Sequence, residues 1–151
     1  MIEASCHCGA VRLEIDSPPP DEVNDCHCSI CRRYGALWAY YEPDQVRVLP
    51  PGAPTDVYVW GARTLTTHRC RNCGCVSHWV AMDPGVDVMG VNARLMDPGV
   101  LAAARVRYSA GPYPSPAKFR EPPQEEVRGT PLPRTRVNKP RMLLRAPRSR
   151  E

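Results

Sequence analysis

Eight cysteines in closely spaced groups are the residues of this chain best suited to chemistry. Their spacings are those of metal ligands and form three groups: Cys6 and Cys8; Cys26, Cys28 and Cys31; Cys70, Cys73 and Cys75. The middle group lies in the stretch DCHCSICRR, residues 25–33. Its three thiols could form a redox trap, part of a closed structural metal site, or a metal site with one position open for a substrate. Only the open site would give the protein chemistry of its own.

The outer two groups each contain a pair that could bind one structural zinc. Cys70-Arg-Asn-Cys73 is followed by Gly74, which can take the positive φ of a tight turn around a metal. Cys6-His-Cys8 also precedes a glycine, and on a strand both thiols of a C-x-C pair would lie on one face. Four thiolates complete a tetrahedral zinc site and leave no room for a substrate. The middle group would then remain as a set of three, the ligand number of a reactive zinc site.

Cys75 is the thiol left over from this division. It could close the middle group as a second site with four cysteines, which would remove the open position. Alternatively, it packs as a small buried hydrophobic residue on the strand CVSHWV. We favour the second alternative, because Cys73 and Cys75 would otherwise have to serve different metals.

The histidines and aromatic residues have simpler interpretations. His7 and His27 lie between paired thiols, where a strand turns the middle side chain away from the metal, so we do not expect them to be ligands. His68 and His78 are expected to be packed or surface residues, with a role in proton transfer as the alternative. The remaining aromatic side chains are predicted to belong to the core and not to a ligand-binding cage: Trp38, Trp60, Trp79, Tyr40, Tyr41 and Tyr58.

Alternating apolar and polar residues predict strands over most of the first 113 residues. The segments are VRLEI, ALWAYY, QVRVL, DVYVW, LTTHRC, CVSHWV, VDVMGVNARL and ARVRY. Turn residues separate them, and the pentad MDPGV occurs at both 82–86 and 96–100, which predicts similar turns at the two ends of one strand. Helical segments are expected only near 30–34 and 98–104. The fold class is therefore predicted to be all-β with short helical turns.

Composition divides the chain into a domain, residues 1–113, and a tail, residues 114–151. The tail holds 10 of the 20 Lys+Arg residues but 4 of the 16 Asp+Glu, and it is rich in proline. We expect it to be irregular, either disordered or draped on the surface. The chain contains no apolar run long enough to span a membrane and begins with no signal-peptide pattern, so we expect a cytoplasmic protein without a membrane partner. In a reducing cytoplasm, cysteines at these spacings favour metal over disulfides.

Four segments together resemble the glutathione-dependent formaldehyde-activating enzymes and their relatives, which include centromere protein V. The segments are CHCGAVRLEI from Cys6, CHCSICRRYGA from Cys26, HRCRNCGCVSHW from His68 and GVNARLMDP from Gly90. The resemblance covers about the first hundred residues and does not reach the tail. It implies an all-β, zinc-stabilised fold of the β-tent type with two zinc ions per chain.

The resemblance also implies which thiols share a metal. One zinc is structural and is held by Cys6, Cys8, Cys70 and Cys73. The second zinc is held by Cys26, Cys28 and Cys31, and its open fourth position accepts the thiol of glutathione. The implied reaction is that of a carbon–sulfur lyase, which joins glutathione and formaldehyde into S-hydroxymethylglutathione or cleaves such an adduct.

Arginines close to the thiols have two interpretations of equal weight. Arg32 and Arg33 could bind the two carboxylates of glutathione, and Arg69, Arg71 or Arg94 could serve in the same way. Alternatively, these cations balance the negative charge of the zinc-thiolate clusters. Asn92 and Arg94 match the family pattern, but the sequence assigns them no role.

A second class of function stays open beside the enzyme. The protein could be a non-catalytic scaffold with two closed zinc sites, or a module that associates with nucleic acid through its basic tail. A nucleic-acid partner is not favoured, because no aromatic residue beyond Phe119 is interleaved with the basic residues. The number of sulfur ligands at the second metal distinguishes the two classes.

Overall fold

The structure is a computed structural model that describes residues 1–111. The predicted boundary after residue 113 and the predicted tail, residues 114–151, lie outside the described residues. The described part contains ten strands: β1 (Ile2–Ser5), β2 (Arg12–Ile15), β3 (Glu22–Cys26), β4 (Trp38–Tyr41), β5 (Val46–Leu49), β6 (Thr55–Val59), β7 (Leu65–Cys70), β8 (Val76–Ala81), β9 (Met89–Asn92) and β10 (Arg105–Ser109). Its helical elements are helix α1 (Cys31–Tyr34) and 3₁₀ turns at Pro43–Gln45, Ala93–Leu95 and Pro98–Leu101. None of the described helices is long and apolar enough to cross a membrane.

The strands form two sheets, which confirms the predicted all-β class. The smaller sheet has the order β1-β2-β5, and the larger one has the order β10-β3-β4-β9-β8-β7-β6. Neighbouring strands are antiparallel except for β10, which runs parallel to β3. This parallel pairing brings the end of the described chain beside the middle cysteine group.

Two of the strands were not predicted. β1 has the sequence IEAS and β3 has the sequence EVNDC, and both are short. Asn and Asp are disfavoured in strands, and Ala and Ser pack little surface, so local preference does not indicate a strand in either segment. Both strands form because their alternating side chains, such as Ile2 and Val23, are buried in the core.

The apolar core lies between one face of the larger sheet and the inner face of the smaller one. Leu13 and Ile15 of β2 are fully buried, as their alternation predicts. They belong to one packed cluster with Ala39 of β4 and Val91 of β9. Because successive strand residues point to opposite faces, the intervening residues of β4 and β9 face the other side of the larger sheet. The candidate site lies on that second face.

The two MDPGV copies form the same local turn. In each copy the aspartate side chain accepts a hydrogen bond from the glycine amide two residues later: Gly85 N to Asp83 Oδ1 is 2.8 Å, and Gly99 N to Asp97 Oδ1 is 2.7 Å. The second copy continues into the 3₁₀ turn Pro98–Leu101, whereas the first does not. The segment VDVMGVNARL, which we predicted as one strand, contains only β9 and then the 3₁₀ turn Ala93–Leu95.

Candidate metal centres

Four thiols of the outer cysteine groups meet in a first cluster. The sulfur atoms of Cys6, Cys8, Cys70 and Cys73 all lie within 4.8 Å of one another. The Sγ atoms of Cys6 and Cys8 are 3.6 Å apart, and so are those of Cys8 and Cys70. Tetrahedral zinc with bonds of about 2.3 Å holds its sulfur ligands roughly 3.8 Å from each other. The first cluster therefore has the size and donor set of a four-cysteine zinc site.

Two turns of similar geometry position these four thiols. Cys6 follows β1 directly, and Gly9 closes the turn by donating its amide to the Cys6 carbonyl at 3.0 Å. Cys70 ends β7, and Gly74 donates to the Cys70 carbonyl at 2.9 Å. Both glycines have φ of 75°, a conformation that favours glycine. The turn at Gly74 agrees with our expectation, but Cys6 and Cys8 lie in a turn and not on a strand.

The negative charge that these four neighbouring sulfurs would carry as thiolates favours a bound cation. A backbone hydrogen bond from Cys75 lowers the pKa of Cys73 to about 5, whereas burial raises the pKa of Cys6 to about 11. Four neighbouring sulfurs cannot all be thiolates without a compensating positive charge. A divalent metal supplies that charge and deprotonates coordinating thiols.

Cys75 lies beside the first cluster. Its carbonyl accepts the Cys70 amide at 2.8 Å, and its side chain packs in the apolar cluster formed around Cys6, Val11 and Cys70. It is not among the thiols that gather in the middle group. Within the described residues, Cys75 therefore does not supply a fourth ligand to that group.

The middle cysteine group forms a second cluster of three. Cys26 ends β3, Cys31 begins α1, and the sulfurs of Cys26, Cys28 and Cys31 lie within 4.8 Å of one another. The Cys28 sulfur accepts the Cys31 amide at 3.5 Å, and the Cys31 sulfur accepts the indole Nε1–H of Trp38 at 3.2 Å. Among the described residues, no fourth Cys, His, Asp or Glu joins this set.

Two of the three sulfurs, those of Cys26 and Cys31, differ in their pKa values without a metal. A hydrogen bond from Cys31 is the main reason that the pKa of Cys26 falls to about 5. The same interaction and burial raise the pKa of Cys31. One sulfur of the pair therefore carries the negative charge while the other keeps its proton, and a metal cation would allow both to ionise.

A cavity of about 370 Å³ opens beside the second cluster. Alternate residues of four strands line it: Asn24 and Cys26 on β3, Trp38 and Tyr40 on β4, Leu65 and Thr67 on β7, and Arg107 and Ser109 on β10. Cys28, Cys31, Trp60 and Trp79 also reach it, so the cavity is lined by all three thiols of the second cluster and by all three tryptophans of the chain. We expected the tryptophans to be core residues. Trp38 is buried, but its indole also forms part of the cavity wall.

None of the arginines suggested by sequence, Arg32, Arg33, Arg69, Arg71 and Arg94, lines the cavity. Arg32 and Arg33 are exposed on α1 and do not line it, and Arg33 donates a hydrogen bond to the Ser29 carbonyl. Arg69 and Arg71 form ion pairs with Asp56 at 3.5 and 3.2 Å.

Among the described residues, Arg107 is the one arginine that lines the cavity, and sequence reasoning missed it. No motif or spacing connects it to the thiols. It reaches the site because β10 pairs with β3 in a register that places Arg107 opposite Asn24. Its Nε lies 2.8 Å from Glu22 Oε1, so its charge is already paired with a carboxylate.

The histidines and Asn92 have structural contacts. The rings of His68 and His78 stack at 4.3 Å across β7 and β8, and neither lines the cavity. Burial, together with the nearby His68, lowers the pKa of His78 to about 4, so that ring is neutral at pH 7. The buried Asn92 side chain accepts the Leu37 amide at 3.2 Å and donates to the Val76 carbonyl at 2.9 Å. Asn92 thus links Leu37, the residue before β4, to Val76, the first residue of β8, a role that the sequence alone did not assign.

Comparison with known proteins agrees with this architecture. The sequence profile of the family described as "Glutathione-dependent formaldehyde-activating enzyme" matches residues 1–110. A curated protein of Halomonas elongata, named "Putative glutathione-dependent formaldehyde-activating enzyme", is 58% identical over 92 residues. That match covers 56% of this chain and 57% of the relative, so the chain spans little more than half of the relative's length.

A crystal structure of a Rhodobacter sphaeroides protein has a similar fold. It is 30% identical in sequence and superposes with a TM-score of 0.56 over 70% of this chain and 99% of its own. The family profile covers well over half of the chain and includes every residue of both cysteine clusters. The chain therefore belongs to the glutathione-dependent formaldehyde-activating enzyme family.

Proposed function

We propose that this protein is a zinc-dependent carbon–sulfur lyase that joins a thiol and an aldehyde or cleaves their adduct. The observation that carries the proposal is the second cluster, in which three thiols converge at the wall of a cavity without a fourth described ligand. Three protein ligands and one open position are typical of reactive zinc sites. An adduct of the S-hydroxymethylglutathione type is the substrate that the family membership supports.

The two clusters have different roles in this proposal. Cys6, Cys8, Cys70 and Cys73 hold a structural zinc, because four sulfurs leave it no open position. Cys26, Cys28 and Cys31 hold the second zinc. When bound there, zinc supplies a Lewis acid that accepts the substrate's sulfur as a thiolate at neutral pH.

The chain's own residues orient the ligands and make the surroundings of the second cluster less polar. Trp38 donates its indole N–H to the Cys31 sulfur, which restrains that ligand and moderates its charge. The aromatic side chains that line the cavity, Trp38, Trp60, Trp79, Tyr34 and Tyr40, lower the polarity around the reacting atoms, which strengthens electrostatic interactions there.

The bond changes in this reaction balance without a further reactant. In the forward direction the thiolate sulfur attacks the carbonyl carbon and a carbon–sulfur bond forms. The carbonyl oxygen then takes up a proton equivalent to the one that the thiol lost. In the reverse direction the hydroxyl proton leaves, the carbon–sulfur bond breaks, and the electron pair returns to sulfur.

Glutathione and an aldehyde are the partners we propose. Arg32 and Arg33 are exposed on the helix that begins at Cys31, so they can bind carboxylates of glutathione outside the cavity. We place the reaction in the cytoplasm, where a reducing environment keeps zinc-bound thiols from forming disulfides. The scaffold alternative gives no role to a cavity beside three thiols, and we therefore prefer the enzyme.

Metal analysis combined with X-ray absorption at the zinc edge tests the proposal. We expect two zinc ions per chain and a gain of one sulfur ligand at one of them when glutathione is added. The matched control is S-methylglutathione, which has the same charges but no free thiol and should add no sulfur. One zinc per chain, or an unchanged spectrum with glutathione, would contradict the proposal.

A further inference from the structure

The cavity beside the second cluster is larger than the proposed reaction with formaldehyde requires. Its volume of about 370 Å³ falls within the roughly 300–1,000 Å³ of pockets that enclose small organic molecules. Formaldehyde has only two non-hydrogen atoms, one of them the carbon that bonds to sulfur. Most of the cavity would then stay filled with water in contact with aromatic side chains. Leaving that apolar surface exposed to water is unfavourable in free energy.

The charges of the cavity do not match a bound tripeptide either. Arg107 is the one charged residue among the described residues that line it, and Glu22 already pairs with its guanidinium at 2.8 Å. Glutathione carries two carboxylates and one ammonium group, and burying charges without partners is costly. The charged part of glutathione is therefore better placed outside, where Arg32 and Arg33 are exposed.

The aromatic wall is held in place by the sheet. Gly90 of β9 lies between Tyr40 of β4 and Trp79 of β8 in the strand register. The indole of Trp79 lies directly over Gly90, so close that a Cβ there would be 2.0 Å from Nε1. Tyr40 packs edge to face on the same indole, with ring centroids 6.1 Å apart. This wall is preorganised to contact a flat apolar group.

We propose that the cavity binds an aryl or similarly bulky apolar substituent on the aldehyde carbon. This inference rests on the proposed function and names its substrate class. The thiol sulfur attacks the carbonyl carbon of an aldehyde R–CHO, and the carbon–sulfur bond of S–CH(OH)–R forms as the oxygen takes up the proton. The group R occupies the space between Trp38, Trp79 and Leu65, while the polar part of the thiol stays outside.

The test compares two aldehydes with glutathione and the zinc-loaded protein. Exchange spectroscopy by NMR measures how much the protein accelerates formation and cleavage of the adducts of phenylacetaldehyde and of formaldehyde. We expect kcat/KM to be at least about tenfold higher for phenylacetaldehyde, since even one additional methylene in an apolar pocket is worth that factor. Trp79→Ala should reduce this ratio by about tenfold. The control Tyr58→Ala, which removes an exposed aromatic ring outside the cavity, should leave the ratio unchanged.

The outcomes separate this inference from the proposed function. If zinc gains a sulfur from glutathione but the protein prefers formaldehyde or treats both aldehydes alike, the inference is wrong and the lyase proposal stands. If neither exchange is accelerated and no sulfur is gained, both are wrong. Should Trp79→Ala fail to fold, nuclear Overhauser contacts between the phenyl protons and the indoles of the wild-type protein decide the question. Their absence at saturating adduct would overturn the inference.

Discussion

Replacing Gly90 by alanine is the substitution whose consequence the structure defines most sharply. The new Cβ would lie 2.0 Å from Nε1 of Trp79, 2.5 Å from Cε2 and 2.8 Å from Cδ1. Ordinary contact begins at 3.4 Å, so the indole must move by the difference, about 1.4 Å. Gly90 is not among the glycines with positive φ, so the backbone itself accepts alanine without strain.

Two opposing effects determine how much Gly90→Ala changes the free energy of unfolding. Overpacking a well-packed site costs about 1–3 kcal/mol, and the lower entropy of the unfolded chain returns about 0.4–1 kcal/mol. The difference spans roughly 0–2.6 kcal/mol, and we expect the free energy of unfolding to fall by about 1.3 kcal/mol, the middle of that range. In a domain of about 110 residues each kcal/mol lowers Tm by about 4 °C.

Thermal unfolding of the zinc-loaded protein, followed by circular dichroism and tryptophan emission, measures the effect. Gly85→Ala is the matched control, because its Cβ would meet only the Asp83 carboxylate at 3.2 Å, and we expect a change below about 0.5 kcal/mol. Adding Trp79→Phe to Gly90→Ala should recover part of the lost stability, since the smaller ring relieves the contact. A Gly90→Ala protein with wild-type Tm and unchanged emission would refute the placement of Trp79 over Gly90.

Four other substitutions distinguish the two clusters, test the hydrogen bond from Trp38 and examine the buried His78. Cys73→Ser should unfold the domain by removing metal-coupled folding energy, whereas Cys28→Ser should keep the fold and lose glutathione binding; similar melting curves for both would contradict the division of roles. Trp38→Phe removes the N–H that Cys31 accepts and should weaken zinc at the second cluster by about 10–100-fold in chelator competition, while an unchanged affinity would show that this hydrogen bond does not support the ligand. The pKa of His78 is about 4 in the folded protein against about 6.5 unfolded, so the unfolded state binds more protons between these values and stability falls as pH drops through this window. The stability of the wild type relative to His78→Gln should therefore decrease by up to about 3 kcal/mol from pH 7 to pH 4, and a difference independent of pH would show that His78 titrates normally.

Much of the fold was predictable because half-buried strands carry a local signal. Leu13 and Ile15 alternate with polar residues, and the structure buries both completely. β1 and β3 were missed because they are short and contain residues with weak strand preference. Their pairing partners stabilise them, and those partners are distant in sequence.

The cysteine groups were predictable for a similar reason. The spacing within Cys26, Cys28 and Cys31 is local, so these sulfurs can converge within one turn and one short helix. The meeting of the Cys6 and Cys70 turns is long-range: the spacings allowed the two pairs to share one zinc, and the resemblance to the family implied that they do.

By itself the sequence determined the strand-rich class, the presence of closely spaced thiols, and the family to which the chain belongs. Only the tertiary structure decided that Cys75 lies with the first cluster, that Arg107 and not Arg32 lines the cavity, and that three tryptophans form its wall. The physical reason is the range of the interactions involved. Spacing along the chain specifies what one turn or strand can do, whereas the cavity is made by residues that pairing across β10, β3, β4, β9, β8 and β7 brings together.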